Sequence, residues 1–230
     1  MNKKKILESV FSVLYRHFGH LDWWVDVDPF EICVGVILTQ GTNWRNVEKS
    51  ILNLKKRGFL NPQKIASLDE ETLFSLIKPS GFFKVKAKRL KNFVQFLMSE
   101  YDGDMDKMAL EETHTLRENL LTIKGIGRES ADSILLYGLN KPSMVVDKYT
   151  RRTLARIGLI KGNEDYDEIK EFLEKNLGKS VQMYRVFHAL IVELAKTYCK
   201  KKDPLCTSCP LSKGYCKFYA NLLQKNLQSF

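Results

Sequence analysis

Ile123-Lys124-Gly125-Ile126-Gly127-Arg128 is the stretch on which the fold turns. Two glycines flank one apolar residue, and helical periodicity runs on either side, from Thr113 to Leu121 and from Arg128 to Leu139. The pattern is helix, hairpin, helix. Glycine adopts backbone angles closed to other residues and carries no side chain to hold a phosphate away. The helix that begins near Arg128 turns its unpaired N–H groups and positive dipole end toward the same point. Lys124 and Arg128 add flanking charge. A plain helix–helix turn often contains the same Gly-x-Gly, so that reading stands beside the phosphate clamp.

A second motif follows: Val145-Val146-Asp147-Lys148-Tyr149. Asp147 lies just before the helix predicted over Lys148 to Ile157, where aspartate is a frequent N-cap. The cap and a chemical role are compatible. A carboxylate held by N-cap hydrogen bonds is fixed in direction and stays ionised. Such a group can stabilise an oxocarbenium-like sugar and orient water, as one carboxylate does in glycoside hydrolysis.

The chain has 230 residues, enough for one large domain or two small ones. Its 37 Lys+Arg outnumber 27 Asp+Glu, for a formal net charge of +10. That excess suits a polyanion, because each neutralised phosphate releases condensed counterions, though ordinary solubility charge looks the same. No apolar run approaches the ~20 residues of a spanning helix. Met1-Asn2-Lys3-Lys4-Lys5 has the charge of a signal peptide without its apolar stretch or small-residue cleavage site. The expectation is an intracellular protein, whose cysteines are metal ligands rather than disulfides.

The class is all-α. Ile6, Val10, Val13, Leu14 and His17 share one face of a first helix. Asp28-Pro29-Phe30 opens a second, with Asp28 as N-cap and Pro29 in the first turn. Further helices are expected over Asn43–Leu54, Pro62–Ala66 and Asp69–Ile77. Pro79-Ser80-Gly81 breaks the pattern before a basic helix, Lys84–Met98, with Phe93, Phe96 and Leu97 on its apolar side. Tyr101 to Asp104 reads as a loop. Tyr166–Asn176 and Val181–Cys199 complete the helical set, and no strand is expected.

Cys199, Cys206, Cys209 and Cys216 give C-x6-C-x2-C-x6-C. Four thiolates in so short a span signal a metal site. Zinc ribbons usually show two CxxC pairs and this chain has one, so a [4Fe–4S] cluster is preferred over zinc. Lys200, Lys201, Lys202 and Lys213 surround the site with positive charge. Cys33, inside the apolar second helix, reads as a core residue.

In this order, these residues resemble the endonuclease III superfamily of helix-hairpin-helix DNA glycosylases. The resemblance covers essentially the whole chain. It implies a six-helix barrel domain over about 28–141 and a discontinuous helical domain from 1–27 and 142–230, with the cluster loop at 199–216. Double-stranded DNA would lie across the cleft between them, with a damaged base flipped out. The enzyme would be a monomer acting on DNA in the cytoplasm, at the nucleoid.

Two departures matter. The spacing before Cys216 is one residue longer than the family's usual C-x5-C. In Gly127-Arg128-Glu129-Ser130-Ala131, Glu129 occupies the position where bifunctional members carry a nucleophilic lysine. A carboxylate forms no Schiff base. The expected activity is therefore monofunctional: water is the nucleophile and Asp147 the essential carboxylate.

Within the superfamily the chain resembles the 3-methyladenine DNA glycosylase III branch. The matching stretches are Gly125 to Asp132, Met144 to Tyr149, Pro79-Ser80-Gly81-Phe82 and Lys86-Ala87-Lys88-Arg89-Leu90. The branch implies a pocket from Trp23, Trp24, Trp44 and Lys196. Stacking between indole faces suits an electron-poor, often cationic alkylpurine. Core packing is the alternative for Trp23 and Trp24, and a solvated surface position for Lys196. Gln40 matches the family position that fills the gap left by the flipped base, or else caps its helix. With Lys124, Gly125, Ile126, Gly127 and Arg128 it forms the expected DNA-binding set. Two other readings stay open: a glycosylase for oxidised or mismatched bases, and an iron–sulfur DNA-binding protein without catalysis.

Overall fold

The structure is a computed structural model that describes residues 3–227. In chain order the helices are α1 (Lys3–Phe18), α2 (Pro29–Thr39), α3 (Trp44–Lys56), α4 (Pro62–Ser67) and α5 (Glu70–Ile77). Then come α6 (Phe83–Tyr101), α7 (Met105–Leu110), α8 (Thr113–Thr122) and α9 (Arg128–Ser133). The last four are α10 (Lys148–Ile157), α11 (Tyr166–Leu177), α12 (Val181–Thr197) and α13 (Lys217–Leu227). No strand occurs among the described residues, and none of their helices is long and apolar enough to cross a membrane.

The chain divides into two compact units. One comprises Trp24–Ser143; the other joins Met1–Trp23 to Met144–Phe230. The expectation set these limits at 28–141, a few residues inside the compact unit.

In the 24–143 unit, α2 is the centre. Phe30 and the run from Ile32 to Leu38 are buried, and α3, α6 and the 134–138 segment pack on it. Its start follows from sequence: Asp28 accepts hydrogen bonds from Phe30 N and Glu31 N, and Pro29 occupies the first turn. Gly138 lies so close that a Cβ there would stand 3.0 Å from Cys33 Sγ. Cys33 is thus a packed core residue, and burial pushes its thiol pKa far up. The C-terminal carbonyl end of α2 is tied by a buried amine. Lys86 Nζ donates to Leu38 O (2.7 Å) and Ser80 O (2.6 Å), and burial lowers its pKa to about 8.

Helices α8 and α9 flank the hairpin. Buried Asp132 in α9 accepts two hydrogen bonds from Arg117 in α8, from Nε at 2.8 Å and Nη2 at 3.0 Å, and another from Ser143 Oγ. This network fixes the two arms. Beyond α9 the helix widens into a π turn at Ile134–Gly138.

In the other unit, α12 is the spine, buried almost continuously from Tyr184 to Ala195. Helices α1, α10 and α11 complete the group, with α1 and α10 against α12 and α11 against α1. The sequence expectation needs four corrections. The buried stripe of α1 is Leu7, Val10 and Leu14; Ile6 and Val13 are half-buried and His17 is exposed, a rotation of about one residue. Tyr101 ends α6 rather than starting a loop, and Phe96 is only half-buried beside buried Phe93, Val94 and Leu97. Helices α7 and α13 were not expected. Asp104 initiates α7 by accepting from Asp106 N and Lys107 N.

Candidate active site

The hairpin closes through Ile126 N donating to Ile123 O at 2.9 Å. Ile126 turns its side chain into the core (4 % exposed), while Lys124, Gly127, Arg128 and Glu129 are exposed. Its two glycines serve different ends. Gly125 has φ +103°, and a Cβ there would meet Arg89 Cγ at 2.2 Å. Gly127 has φ −96°, ordinary backbone for any residue, and a Cβ there would meet nothing within 4 Å. The fold needs the first glycine. The second leaves an open approach to the N–H groups of α9, and only an incoming group benefits from the missing side chain.

Gln40 follows the end of α2 and is tied to the hairpin. Its Nε2 donates to Gly125 O (3.1 Å) and Ser130 Oγ (2.9 Å), and its Oε1 accepts from Arg89 Nη1 (2.5 Å). It stands at the C-cap of α2, and its side chain bridges the hairpin to α6. Trp24 and Trp44 belong to the same unit, with ring centroids 5.5 Å apart and planes tilted by 39°. Tyr137 meets Trp24 edge-on at 5.5 Å. Trp44 remains 40 % exposed, and both indoles lie against α2 at Gly35, where a Cβ would stand 3.5–3.6 Å from them, an ordinary contact distance.

Asp147 stands in the other unit, at the N-terminus of α10. The extended segment before it is pinned at Met144 N by Glu174 Oε1 (2.8 Å) and at Val146 N by the Tyr166 hydroxyl (3.2 Å). Asp147 Oδ1 accepts from Thr150 N at 2.7 Å, the expected N-cap. Its Oδ2 faces His188 Nε2 at 3.8 Å, an ion-pair separation longer than a hydrogen bond. The carboxylate is 12 % exposed. Burial pushes its pKa up, but His188 and the Thr150 N–H outweigh burial and hold it below the usual aspartate value. It is an ionised, largely buried group with one oxygen bound to backbone and the other toward His188.

His188 escaped the sequence reading. Its signal is a single polar residue inside the apolar run Val186-Phe187-His188-Ala189-Leu190-Ile191-Val192, on the buried side of α12. Trp23 meets it edge-on at 5.5 Å. Lys196, exposed two turns further along α12, places Nζ 5.8 Å from the Trp23 ring centre. So Asp147, His188, Trp23 and Lys196 form one continuous group, and the expected pocket residues fall into two sets.

The four cysteines line a single cavity with Arg156, Tyr198, Ser212, Phe218 and Tyr219. Burial raises the thiol pKa of Cys206 and Cys216, and that of Cys209 to about 11. Among the described residues no three His, Cys, Asp or Glu side chains converge as the ligand set of one ion. Four thiols lining one cavity offer a donor set of the kind that soft metal groups take. Helix α10 supports the cavity. Arg156 Nη1 donates to Cys199 Sγ (3.3 Å) and Lys200 O (2.7 Å), above the Phe218 ring. Arg152 Nε holds Cys199 O at 2.8 Å.

A helix-hairpin-helix with one glycine open to an incoming group and, in the other unit, a buried ionised carboxylate are the two features of chemical interest in this chain. Comparison with known proteins gives its family. Residues 34–179 match the HhH-GPD superfamily of base excision DNA repair proteins. A protein of Methanocaldococcus jannaschii, provisionally named a DNA repair glycosylase, is 46 % identical over 94 % of this chain and 97 % of its own length. Endonuclease III of Thermotoga maritima is 32 % identical over 84 % of this chain and 85 % of its own. Among solved structures, Helicobacter pylori 3-methyladenine DNA glycosylase bound to 1,N6-ethenoadenine superposes with a TM-score of 0.73 at 34 % identity. It covers 85 % of this chain and 98 % of that one. An endonuclease III–DNA complex shares the fold, with a TM-score of 0.80 at 22 % identity, covering 97 % of this chain and 100 % of that one. The chain belongs to the HhH-GPD superfamily and is a DNA N-glycosylase of base excision repair.

Proposed function

We propose that this glycosylase excises an alkylated purine, such as 3-methyladenine, by hydrolysis and without strand cleavage. The observation that carries the hydrolytic half is Glu129. It occupies the hairpin position at which a lysine would form the Schiff base of a lyase, and it is exposed at the start of α9. The alkylpurine half is supported by the aromatic set and by the H. pylori enzyme's ligand, an ethenoadenine.

The chemistry follows from Asp147. Cleaving the glycosidic C–N bond sends its electron pair to the departing base and leaves positive charge on the sugar. The ionised Oδ2 stabilises that charge and orients water toward the anomeric carbon. Water then forms the new C–O bond and gives up a proton. A cationic methylpurine departs neutral, so it needs no acid. His188 holds the Asp147 side chain in its ionised form. Trp23 offers an indole face for the extruded base, while Trp24 and Trp44 form a separate aromatic pair in the other unit. Gly127 and the flanking Lys124 and Arg128 grip a phosphate of double-stranded DNA.

Cys199, Cys206, Cys209 and Cys216 are proposed to hold a [4Fe–4S] cluster. When bound, it supplies a rigid cross-link for the 199–216 loop. No step of hydrolysis passes through it. The substrate places the enzyme at the nucleoid.

The test is release of free bases from methylated duplex DNA, with borohydride added in parallel. Methylpurine release without a trapped covalent adduct is expected. Release of thymine glycol with no methylpurine sinks the substrate reading; a trapped adduct sinks the hydrolytic one.

A further inference from the structure

Arg89 does something that neither its charge nor its place on a basic helix discloses. Its aliphatic stem crosses the face of Gly125, where a Cβ would stand 2.2 Å from Cγ, 2.9 Å from Cδ and 3.1 Å from Arg89 Cβ. Its guanidinium Nη1 then reaches Gln40 Oε1 at 2.5 Å. The Gln40 amide continues the chain of contacts, with Nε2 on Gly125 O at 3.1 Å and on Ser130 Oγ at 2.9 Å. One turn further along α6, Asn92 Nδ2 donates to Lys124 O at 2.8 Å. Two side chains of α6 therefore hold the hairpin, and one of them also holds Gln40.

The arrangement leaves little freedom. Gln40 uses its acceptor and its donor group at once, so its side chain has one orientation. Ser130 belongs to the first turn of α9, the helix whose N–H groups the open Gly127 exposes. Buried Lys86 anchors the same loop from behind by bonding Leu38 O. A basic residue in a DNA-binding protein is ordinarily read as a phosphate contact. Arg89 instead spends a hydrogen bond on a neutral glutamine and its stem on a glycine.

We propose that Arg89 is a positioning residue that locks Gln40 to the hairpin, so that clamp and loop meet DNA as one preformed surface. This rests on the hairpin being the phosphate grip. It does not depend on which base is excised. Preformation raises affinity by removing the cost of ordering two loops on binding. A hydrogen-bonded trio acts as a unit, so losses from its members overlap rather than add.

The experiment measures affinity for an undamaged duplex across a salt series. The proteins are the parent, Arg89→Met, Gln40→Ala, the double variant and Ser130→Ala. Methionine keeps the stem over Gly125 and removes the guanidinium. Arg89→Met should weaken binding roughly tenfold, about 1.4 kcal/mol, with the salt slope unchanged. The double variant should be no weaker than its worse single member. Ser130→Ala removes no charge and should weaken binding in the same direction. Two results overturn the proposal. One is unchanged affinity in Arg89→Met. The other is a slope smaller by ~0.9, as for one lost phosphate contact, with additive losses in the double variant. A parent that excises methylpurines while failing this test leaves the substrate reading intact. A parent that binds as described but releases no methylpurine has the reverse meaning.

Discussion

The hairpin glycines allow fold and function to be separated by one methyl group at a time. In Gly125→Ala the new Cβ must share space with Arg89 Cγ, 2.2 Å away, on a backbone at φ +103°. Strain of that kind costs about 1–3 kcal/mol. Displacing a packed stem adds about 1–3 kcal/mol. The sum is about 2–6 kcal/mol, so melting should fall and binding with it. In Gly127→Ala the methyl enters open space at φ −96°. Loss of unfolded-chain freedom favours alanine by about 0.4–1 kcal/mol, and alanine is the poorer N-cap by a few tenths to about 1 kcal/mol. Stability should stay within about 0.5 kcal/mol of the parent. Under the proposed phosphate clamp binding should not, because the methyl would stand in the path of the incoming phosphate. A loss of about 1.4 kcal/mol corresponds to a tenfold rise in Kd. The assay pairs thermal melting with fluorescence anisotropy on a duplex at fixed salt. A Gly127→Ala protein that binds like the parent refutes the clamp. One that melts as early as Gly125→Ala refutes the assignment of the two glycines.

Three further outcomes follow from the same geometry. Arg117→Met leaves the fully buried Asp132 carboxylate without its guanidinium and should cost about 3–5 kcal/mol in urea unfolding; a loss under about 1 kcal/mol would mean that the other contacts of Asp132, Ser143 among them, satisfy it. Asp147 has a folded pKa below its ordinary value, so its contribution to stability is complete above the unfolded value of about 3.9 and vanishes as pH falls through the folded pKa. Single-turnover excision should accordingly show no loss from Asp147 above about pH 5, and His188→Gln should move the acid limb to higher pH; a limb at the same pH in both proteins would contradict this. Cys206→Ser should lose iron and the visible absorbance of a cluster, and Arg156→Met should release iron roughly tenfold faster, as expected when a ligand's hydrogen bond is removed; a parent that purifies colourless and binds zinc would reject the cluster.

Much of this was legible in the sequence because local chemistry agreed with the tertiary fold. Asp28-Pro29 starts α2 and Asp147 starts α10, because a capping side chain states its role within three residues of chain. The helix-hairpin-helix reads from two glycines and the periodicity around them. The missing pieces depend on contacts distant in sequence. No pattern announces that Gly125 is a glycine because Arg89 crosses it, 36 positions earlier in the chain. His188 looks like one more residue in an apolar helix until Asp147, 41 positions before it, appears 3.8 Å away. Helix α7 was hidden because Tyr101-Asp102-Gly103-Asp104 reads as a loop, although Asp104 is a cap. The rotation of α1 reflects which face α12 and α11 cover, which the sequence of α1 does not contain.

The most direct trial of the account is single-turnover base release by Asp147→Asn on a duplex carrying one methylated purine. Asparagine caps α10 as aspartate does, so the variant should fold and bind duplex like the parent, with melting lowered only by the lost charge contact to His188. Excision should drop by about 10²–10³ or more, the scale of losing one preorganised electrostatic stabiliser. Excision at the parental rate would reduce Asp147 to a helix cap and leave the glycosidic bond to be broken by some other group.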